Sequence, residues 1–182
     1  MGTIHLVPLD FEDVLSISPY QTSDDRGMLI KTYAKDQFLE HGINFSLVEE
    51  TFIRSNNGVL RGLHYQRTLN QSKLITCVLG RAQLVIVNID KKSAMFGKWI
   101  SYELIPSISL YIPGHYAIGT YTMEDSLFRL GYGERFIAES NSGIRWDDVD
   151  IGIEWWFNKE PFVSEKDLKL PYLKELVQEN IL

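Results

Sequence analysis

Residues 73–90 read KLITCVLGRAQLVIVNID, and this stretch predicts two strands joined by a tight turn. Lys73 to Leu79 and Ala82 to Asp90 are rich in Val, Ile and Leu, with Gly80-Arg81 between them as the turn. Similar apolar runs occur on both sides, at Phe45 to Ile53, Trp99 to Leu104, Ser109 to Ile112 and Leu127 to Tyr132. Many short strands without helical spacers are typical of a β-sandwich or barrel. We therefore predict an all-β domain.

Two short helices are expected outside this region. The first is predicted from Asp36 to His41 and ends at Gly42, because glycine is favoured just after a helix. The second is a terminal helix that begins at Pro171, since proline is tolerated at a first helical position. Its apolar face would consist of Leu173, Leu176 and Val177. The predicted fold is therefore all-β with short flanking and C-terminal helices.

The run from Leu84 to Val87 is apolar on both faces of its predicted strand. Such a run is expected where a strand is covered on two sides. A barrel interior would cover one face, and either a partner subunit or a terminal helix would cover the other. The run is therefore an indication of a dimer, and coverage by a terminal helix explains it equally well.

Composition favours one ordinary globular domain over residues 1–182. A length of 182 residues and a mass of 21.0 kDa suit one sizeable core. The net charge of −6 and the pI of about 5.2 argue against a nucleic-acid partner, because proteins that bind nucleic acids usually present a basic face. No apolar stretch approaches the roughly 20 residues that span a bilayer, and the N-terminus lacks the pattern of a signal peptide. We therefore expect a cytoplasmic protein with no membrane partner.

His64 is the histidine whose surroundings suggest chemistry. The chain has four histidines, and His5 and His41 lie in terminal or polar contexts typical of surface residues. His64 lies in the segment RGLHYQ, beside a glycine that lets a strand bend or approach a ligand. Strand alternation places Gly62 and Gln66 on the same face as His64. A histidine facing a barrel interior is either a hydrogen-bonded core residue or a base, and spacing alone leaves both open.

A cupin-type metal site is the next possibility for a jelly roll, and the sequence does not support it. Such sites often use two histidines near one strand, a glutamate and a later histidine. No second histidine follows His64 two residues on, and the later strand has Ile118 within YAIG. Cys77 lies in an apolar run, where a buried inert thiol is expected rather than a nucleophile. We predict that the protein binds no metal and no cofactor.

Seven ordered segments identify the family that the chain resembles. They are DRG (25–27), GVLRGLHYQ (58–66), QSKL (71–74), FGKW (96–99), GIRWDD (143–148), IGIEW (151–155) and SEKD (164–167). Over residues 24–167 the chain resembles the dTDP-4-dehydrorhamnose 3,5-epimerase family. The resemblance implies a cupin-like double-stranded β-helix, or jelly roll, that needs no metal. It also implies an isomerase of deoxysugar biosynthesis that inverts C5, or C3 and C5, beside the C4 ketone of a nucleotide-linked 4-keto-6-deoxyhexose.

The resemblance assigns catalytic roles to four residues. His64 would be the base that removes the proton next to the ketone. Asp167 would fix the tautomer of His64 and stabilise its cationic form. Lys73 would lie beside the C4 oxygen as the cation that stabilises the enolate. Tyr132 would be the acid on the opposite face of the sugar.

The tyrosine is displaced from the family pattern. Direct alignment places the family tyrosine at Leu130 or Gly131, one or two residues before Tyr132. Leu130 and Tyr132 share a strand face, so a small shift would return the phenol to the pocket. If the phenol does not reach the sugar, water or another group must reprotonate it, and the number of inverted centres could change.

The resemblance also implies the residues that bind the substrate. Arg26 and Arg61 are retained for the diphosphate, which suits a bidentate guanidinium. The family's other pocket positions are substituted in this chain by Lys31, Glu49, Thr51, Ile53 and Ile118. The strand that carries Arg26 would reach the site of a neighbouring subunit, together with Lys31, which implies a homodimer.

These substitutions favour a non-standard sugar nucleotide. Lys31 reverses the charge near the nucleobase or ribose, while Ile53 and Ile118 remove polar groups near the sugar. Burying an unpaired hydroxyl against isoleucine costs about 1–3 kcal/mol. A CDP-linked 3,6-dideoxy-4-keto sugar inverted only at C5 would fit a pocket lined by these two isoleucines. The residues are also compatible with a sugar-nucleotide 3,4-ketoisomerase, or with a non-catalytic cupin that binds a sugar nucleotide.

Overall fold

The structure is a computed structural model that describes residues 2–182. This part of the chain consists mainly of short strands, with two six-residue helices and two 3₁₀ turns. The strands are β1 (His5–Pro8), β2 (Leu15–Ser18), β3 (Tyr20–Asp24), β4 (Gly27–Lys31), β5 (Glu49–Ser55), β6 (Val59–Gln66), β7 (Lys73–Leu79), β8 (Ala82–Asn88), β9 (Trp99–Leu104), β10 (Ser109–Ile112), β11 (Tyr116–Thr122), β12 (Ser126–Tyr132), β13 (Asn141–Gly143) and β14 (Phe162–Val163). The helices are α1 (Lys35–Glu40) and α2 (Leu173–Gln178), and the 3₁₀ turns are Ala138–Ser140 and Asp167–Lys169.

Two sheets enclose the interior. The first sheet has the strand order β1-β2-β10-β7-β12-β5, and the second has the order β13-β6-β11-β8-β9, with β14 added parallel to β6. All other pairings are antiparallel, and the strand order is not the chain order, so consecutive strands cross between the sheets. Ile75 and Leu110 of the first sheet pack in one buried cluster with Ile86 of the second. The prediction of an all-β jelly roll is confirmed.

The apolar runs predict several strand boundaries well. Lys73–Leu79, Trp99–Leu104 and Ser109–Ile112 have the expected limits. The first predicted run is wrong at its start, because β5 begins at Glu49 and Phe45 packs instead in a small core beside α1. Strands β1, β3 and β4 escape the prediction, since most of their residues are exposed and they carry little apolar alternation. Strand β2 also escapes it, although its Leu15 and Ile17 alternate with serine and are buried.

The terminal helix begins later than predicted. The first helical residue is Leu173, and Pro171 precedes the helix instead of occupying its first position. The backbone N–H of Tyr172 donates to the Glu175 carboxylate at 2.8 Å, which satisfies a donor at the start of the helix. Leu176 is buried with Leu173, as the predicted apolar face requires. Neither helix in the described residues is long and apolar enough to cross a membrane.

Helix α2 covers the strand that is apolar on both faces. Leu84 and Ile86 of β8 point into the cluster between the two sheets. Val85 and Val87 point outward and pack in a second cluster with Leu173 of α2. The chain's own C-terminal segment therefore buries the outer face. The run therefore gives no evidence for a dimer, and the alternative explanation, coverage by the chain's own C-terminal part including α2, accounts for it.

Three strands of the first sheet present their inner side chains in register. Strand β12 lies between β5 and β7, so each inward residue of β12 has a direct neighbour on both sides. The resulting rows are a first row of Glu49, Tyr132 and Lys73, a second row of Thr51, Leu130 and Ile75, and a third row of Ile53, Phe128 and Cys77. Polarity therefore decreases along the face from the first row to the third, and this gradient lies opposite β6.

Candidate active site

A cavity of about 240 Å³ lies between the two sheets. Its polar lining residues are Arg61, His64, Gln66, Gln71, Lys73, Thr120, Tyr132 and Asn141. Its other lining residues are largely apolar and include Ile53, Ile75, Ile118, Phe128, Leu130 and Phe136. A concave, mostly apolar site with a few convergent polar groups is typical of a small-molecule pocket.

The base candidate His64 is hydrogen-bonded to a buried carboxylate. The Nε2 atom of His64 lies 2.8 Å from Oδ1 of Asp167, which is 4% exposed and begins a 3₁₀ turn. The other carboxylate oxygen accepts the Gly62 N–H at 3.3 Å, and the Asp167 N–H donates to the Ser164 hydroxyl at 3.1 Å. With Nε2–H donating to Asp167, Nδ1 of His64 carries the free lone pair.

The charge of Asp167 is stabilised in this position. Burial opposes ionisation of the carboxyl group, but the hydrogen bond and charge of His64 and the Gly62 N–H outweigh it, so the pKa of Asp167 is lowered. The histidine–aspartate pair is only partly shielded from solvent, because the His64 side chain is 34% exposed. A carboxylate in this place holds the imidazole in one orientation.

A bulge in β6 brings Arg61 into the same cavity as His64. Ile118 of β11 pairs with His64, whereas Thr120 pairs with Arg61, so two residues of β6 between these pairs oppose one of β11. The expected alternation of Gly62 with His64 is therefore wrong. Gly62 packs against β11, where a Cβ atom would lie 2.6 Å from the Ile118 carbonyl oxygen, and its φ of +108° favours glycine.

Lys73 is a buried amine at the polar end of the cavity. Its residue is 5% exposed, and its Nζ atom donates to the Gln71 carbonyl at 3.1 Å. Burial lowers the pKa of Lys73 to about 8. Within residues 2–182 no carboxylate forms an ion pair with this amine. An oxygen anion of a ligand is therefore a suitable partner for its charge.

Tyr132 faces the cavity from the sheet opposite His64. It is the direct cross-strand partner of Lys73, and its hydroxyl lies 3.4 Å from the Thr51 hydroxyl. Burial raises the pKa of Tyr132, the Thr51 contact opposes this rise, and the Glu49 charge adds to it. The phenol therefore remains protonated at neutral pH and has a proton to donate.

Two further predicted residues, Glu49 and Thr51, belong to the rows described above but do not line the cavity. The Glu49 carboxylate accepts the Phe136 N–H at 2.7 Å and so holds the loop after β12. The Thr51 hydroxyl lies 3.4 Å from the hydroxyl of the cavity residue Tyr132. Ile53 and Ile118 line it, as expected.

Arg26 and Lys31 lie away from the cavity of their own chain. Both belong to the β3–β4 segment, which pairs with neither of the two large sheets in the described residues. The Arg26 side chain is 90% exposed and bonds Asp24. Arg61 lines the cavity and donates to the Ser55 hydroxyl at 3.0 Å.

Sequence reasoning missed several lining residues. The alternation of β12 would have found Phe128 and Leu130, since both share a face with Tyr132. Phe136 and Asn141 follow β12 in a segment without periodicity, and only the structure brings them to the cavity.

The other reactive side chains lie outside this arrangement. His5 and His41 are exposed, as expected, and Cys77 is buried, with its thiol pKa raised by burial to about 11. His115 pairs with Asp13 at 3.0 Å. In the described residues no three His, Cys, Asp or Glu side chains form a cluster suited to a metal ion. Metal independence stays a prediction.

The barrel and its cavity define a cupin-like acid–base site, with a histidine–aspartate pair on one sheet and an amine and a phenol on the other. The chain belongs to the dTDP-4-dehydrorhamnose 3,5-epimerase family, whose model matches residues 8–175. The resemblance stated from the sequence motifs, and the isomerase class it implies, are confirmed.

Relatives and solved structures of this family match almost the whole length of the chain. The dTDP-4-dehydrorhamnose 3,5-epimerase of Salmonella typhimurium is 36% identical over 168 residues, covering 90% of this chain and 92% of the relative. The Escherichia coli enzyme of the same name is 34% identical, covering 96% and 97%. A dTDP-6-deoxy-D-glucose-3,5-epimerase from Legionella pneumophila, solved with dTDP-4-keto-L-rhamnose, superimposes with a TM-score of 0.93 at 28% identity and covers 99% and 97%.

Proposed function

We propose that this protein is an epimerase that inverts a carbon beside the C4 ketone of a nucleotide-linked 4-keto-6-deoxyhexose. The carrying observation is that His64 and Tyr132 line one cavity from opposite sheets, with Lys73 beside Tyr132. Inversion needs a base on one face of the carbon, an acid on the other and a cation for the enolate oxygen. The names of the relatives support the same reaction.

The reaction follows from the free atoms of these side chains. Nδ1 of His64 takes the proton from the carbon next to the ketone, and the C–H electron pair forms the enolate. The developing imidazolium is stabilised by Asp167 through Nε2–H. The ammonium of Lys73 stabilises the charge on the C4 oxygen. The Tyr132 hydroxyl then delivers a proton to the opposite face of the carbon, which inverts its configuration.

The substrate's diphosphate is assigned to arginine. Arg61 lines the cavity, donates through Nε to the Ser55 hydroxyl at 3.0 Å, and makes a longer contact from Nη2 to the Arg54 carbonyl at 3.4 Å. A guanidinium suits a diphosphate because it offers paired donors. The nucleotide carrier, dTDP or CDP, is part of the same proposal and is decided by a substrate screen. Because nucleotide sugars are made from nucleoside triphosphates, we place the enzyme in the cytoplasm.

The site is completed in a homodimer. Strand β5 is an edge of the first sheet, and its outward Phe52 is 61% exposed. The hairpin of β3 and β4 projects with Met28 and Leu29 about as exposed, at 61% and 59%. An unpaired edge strand with an exposed phenylalanine and a hairpin with exposed apolar residues favour strand addition from a second copy. That arrangement would carry Arg26 into the partner's site.

The deciding experiment is incubation in D2O with dTDP- and CDP-linked 4-keto-6-deoxyhexoses, followed by NMR of the product. Solvent deuterium at an inverted carbon next to C4 is the expected result. A carbonyl moved to C3 would indicate a 3,4-ketoisomerase. Tight binding without any solvent deuterium would indicate a non-catalytic binding protein. Either outcome would remove the proposal.

A further inference from the structure

The cavity side chains paired with His64 on β11 and offered by the second and third rows of the first sheet are apolar. Ile118 is the direct cross-strand partner of His64 and is 8% exposed. From the facing sheet, the second row offers Leu130 and Ile75 to the same cavity. Beyond them the third row offers only hydrophobic and thiol groups. A substituent on the carbon at His64 therefore meets hydrocarbon.

Several polar groups of the cavity are engaged in hydrogen bonds within the protein. Gln66 neighbours Asn141 and accepts the Ile137 N–H at 3.3 Å. The Gln71 side-chain amide donates to the Glu134 carbonyl at 3.0 Å, and the Gln71 backbone carbonyl accepts from Lys73. Arg61 and its strand neighbour Thr120 lie beyond the bulge. None of these groups is the cross-strand neighbour of His64.

The two carbons beside the ketone carry different substituents, and these would contact the apolar side chains of Ile118, Leu130 and Ile75. C5 carries a methyl group and the ring oxygen, whereas C3 of an ordinary hexose carries a hydroxyl. A methyl group is stabilised by contact with isoleucine. A hydroxyl there would lose water without gaining a hydrogen bond.

We infer that Ile118 is a specificity-determining residue that selects C5 over C3 as the carbon exchanged at His64, so that the preferred substrate is a 4-keto sugar without a C3 hydroxyl. The inference rests on the proposed function and narrows its substrate class. Apolar pockets reject an added hydroxyl by about 100-fold in kcat/KM. We therefore expect C5 exchange to be preferred over C3 exchange by a similar factor.

The test compares two 4-keto-6-deoxyhexoses on the same carrier, one with and one without the C3 hydroxyl, in D2O with time-resolved NMR. Each pair is run on dTDP and on CDP. We expect deuterium at C5 about 100-fold faster than at C3 of the hydroxylated sugar, and a higher kcat/KM for the deoxy sugar. Equal or faster exchange at C3 would overturn the inference and leave the epimerase proposal standing. No exchange in any sugar would instead remove the proposed function itself.

A matched pair of variants assigns the effect to Ile118. Ile118→Thr and Ile118→Val have nearly the same shape and differ in a hydroxyl for a methyl group. Ile118→Thr should raise the C3 to C5 exchange ratio by about 10-fold, since its hydroxyl offers a partner, whereas Ile118→Val should keep the wild-type ratio. If folded Ile118→Thr keeps the wild-type C3 to C5 exchange ratio, Ile118 does not determine the specificity. If that variant does not fold, the wild-type comparison still decides the carbon.

Discussion

Nε2 of His64 lies 2.8 Å from Oδ1 of Asp167, although 103 residues separate them in the chain. The contact forms because β14, which precedes Asp167, pairs in parallel with the start of β6 and brings the following 3₁₀ turn against the bulge. The Gly62 N–H at the bulge then holds the second carboxylate oxygen. One irregularity of β6 therefore positions both the proposed base, His64, and the carboxylate that orients it.

Removing this pair should stop proton exchange without unfolding the barrel. His64→Ala or His64→Asn is expected to lower deuterium incorporation by about 10²- to 10⁴-fold, the usual contribution of a general base. Asp167→Asn should lower it less, because the imidazole remains but loses its orientation and its counter-charge. NMR in D2O measures the rates, and His5→Ala, at an exposed histidine, is the control. A near wild-type rate in folded His64→Ala would exclude His64 as the base.

Tyr132→Phe should separate proton removal from inversion. Deprotonation requires only His64, so solvent exchange should continue at a reduced rate. Inversion requires a proton from the opposite sheet, so the epimerised product should be lost. Chiral analysis of the product beside its deuterium content gives both quantities. Inversion at the wild-type rate would show that another acid serves this face.

The activity should fall as the pH rises through about 8. The Lys73 pKa is lowered to about 8, so its positive charge is present below that pH and disappears above it. The enolate oxygen then loses its cation. In Lys73→Arg the guanidinium stays charged, so any residual activity should lack this decline. A pH–rate profile from about 6 to about 10 measures both, and a flat wild-type profile would contradict a charged Lys73 in the mechanism.

The protein should be a dimer in solution. Light scattering is expected to give about twice 21.0 kDa. Leu29→Asp, on the exposed hairpin, should dissociate the dimer and reduce activity together, because the charge would be buried at the interface. Val149→Asp, at a residue that is 85% exposed, is the matched control. A monomer that is fully active at assay concentration would rule out a shared site.

Metal removal should leave turnover unchanged. The proposed reaction uses Lys73 for the charge on the C4 oxygen, so no divalent ion is needed there. Prolonged chelation followed by the D2O assay in chelator tests this expectation. Activity lost on chelation and restored by one divalent ion would reverse it, and a mock-dialysed sample is the control.

Local pattern determined much of the framework. The apolar content of β7, β9 and β10 is a property of each segment alone, and their limits follow from it. The exposed strands β3 and β4 carry no such pattern, so the sequence alone does not predict them. The motif segments identify the family, and with it His64, Lys73 and Asp167, without knowledge of any contact.

The sequence by itself determined the class of fold, the family and the chemical groups of the site, because these depend on residue types and their order. Only the tertiary structure decided that Arg61 shares the cavity with His64, that α2 covers β8, and that Tyr132 stands beside Lys73. Cross-strand register and bulges depend on contacts between segments far apart in the chain, and strand alternation within one segment does not contain that information.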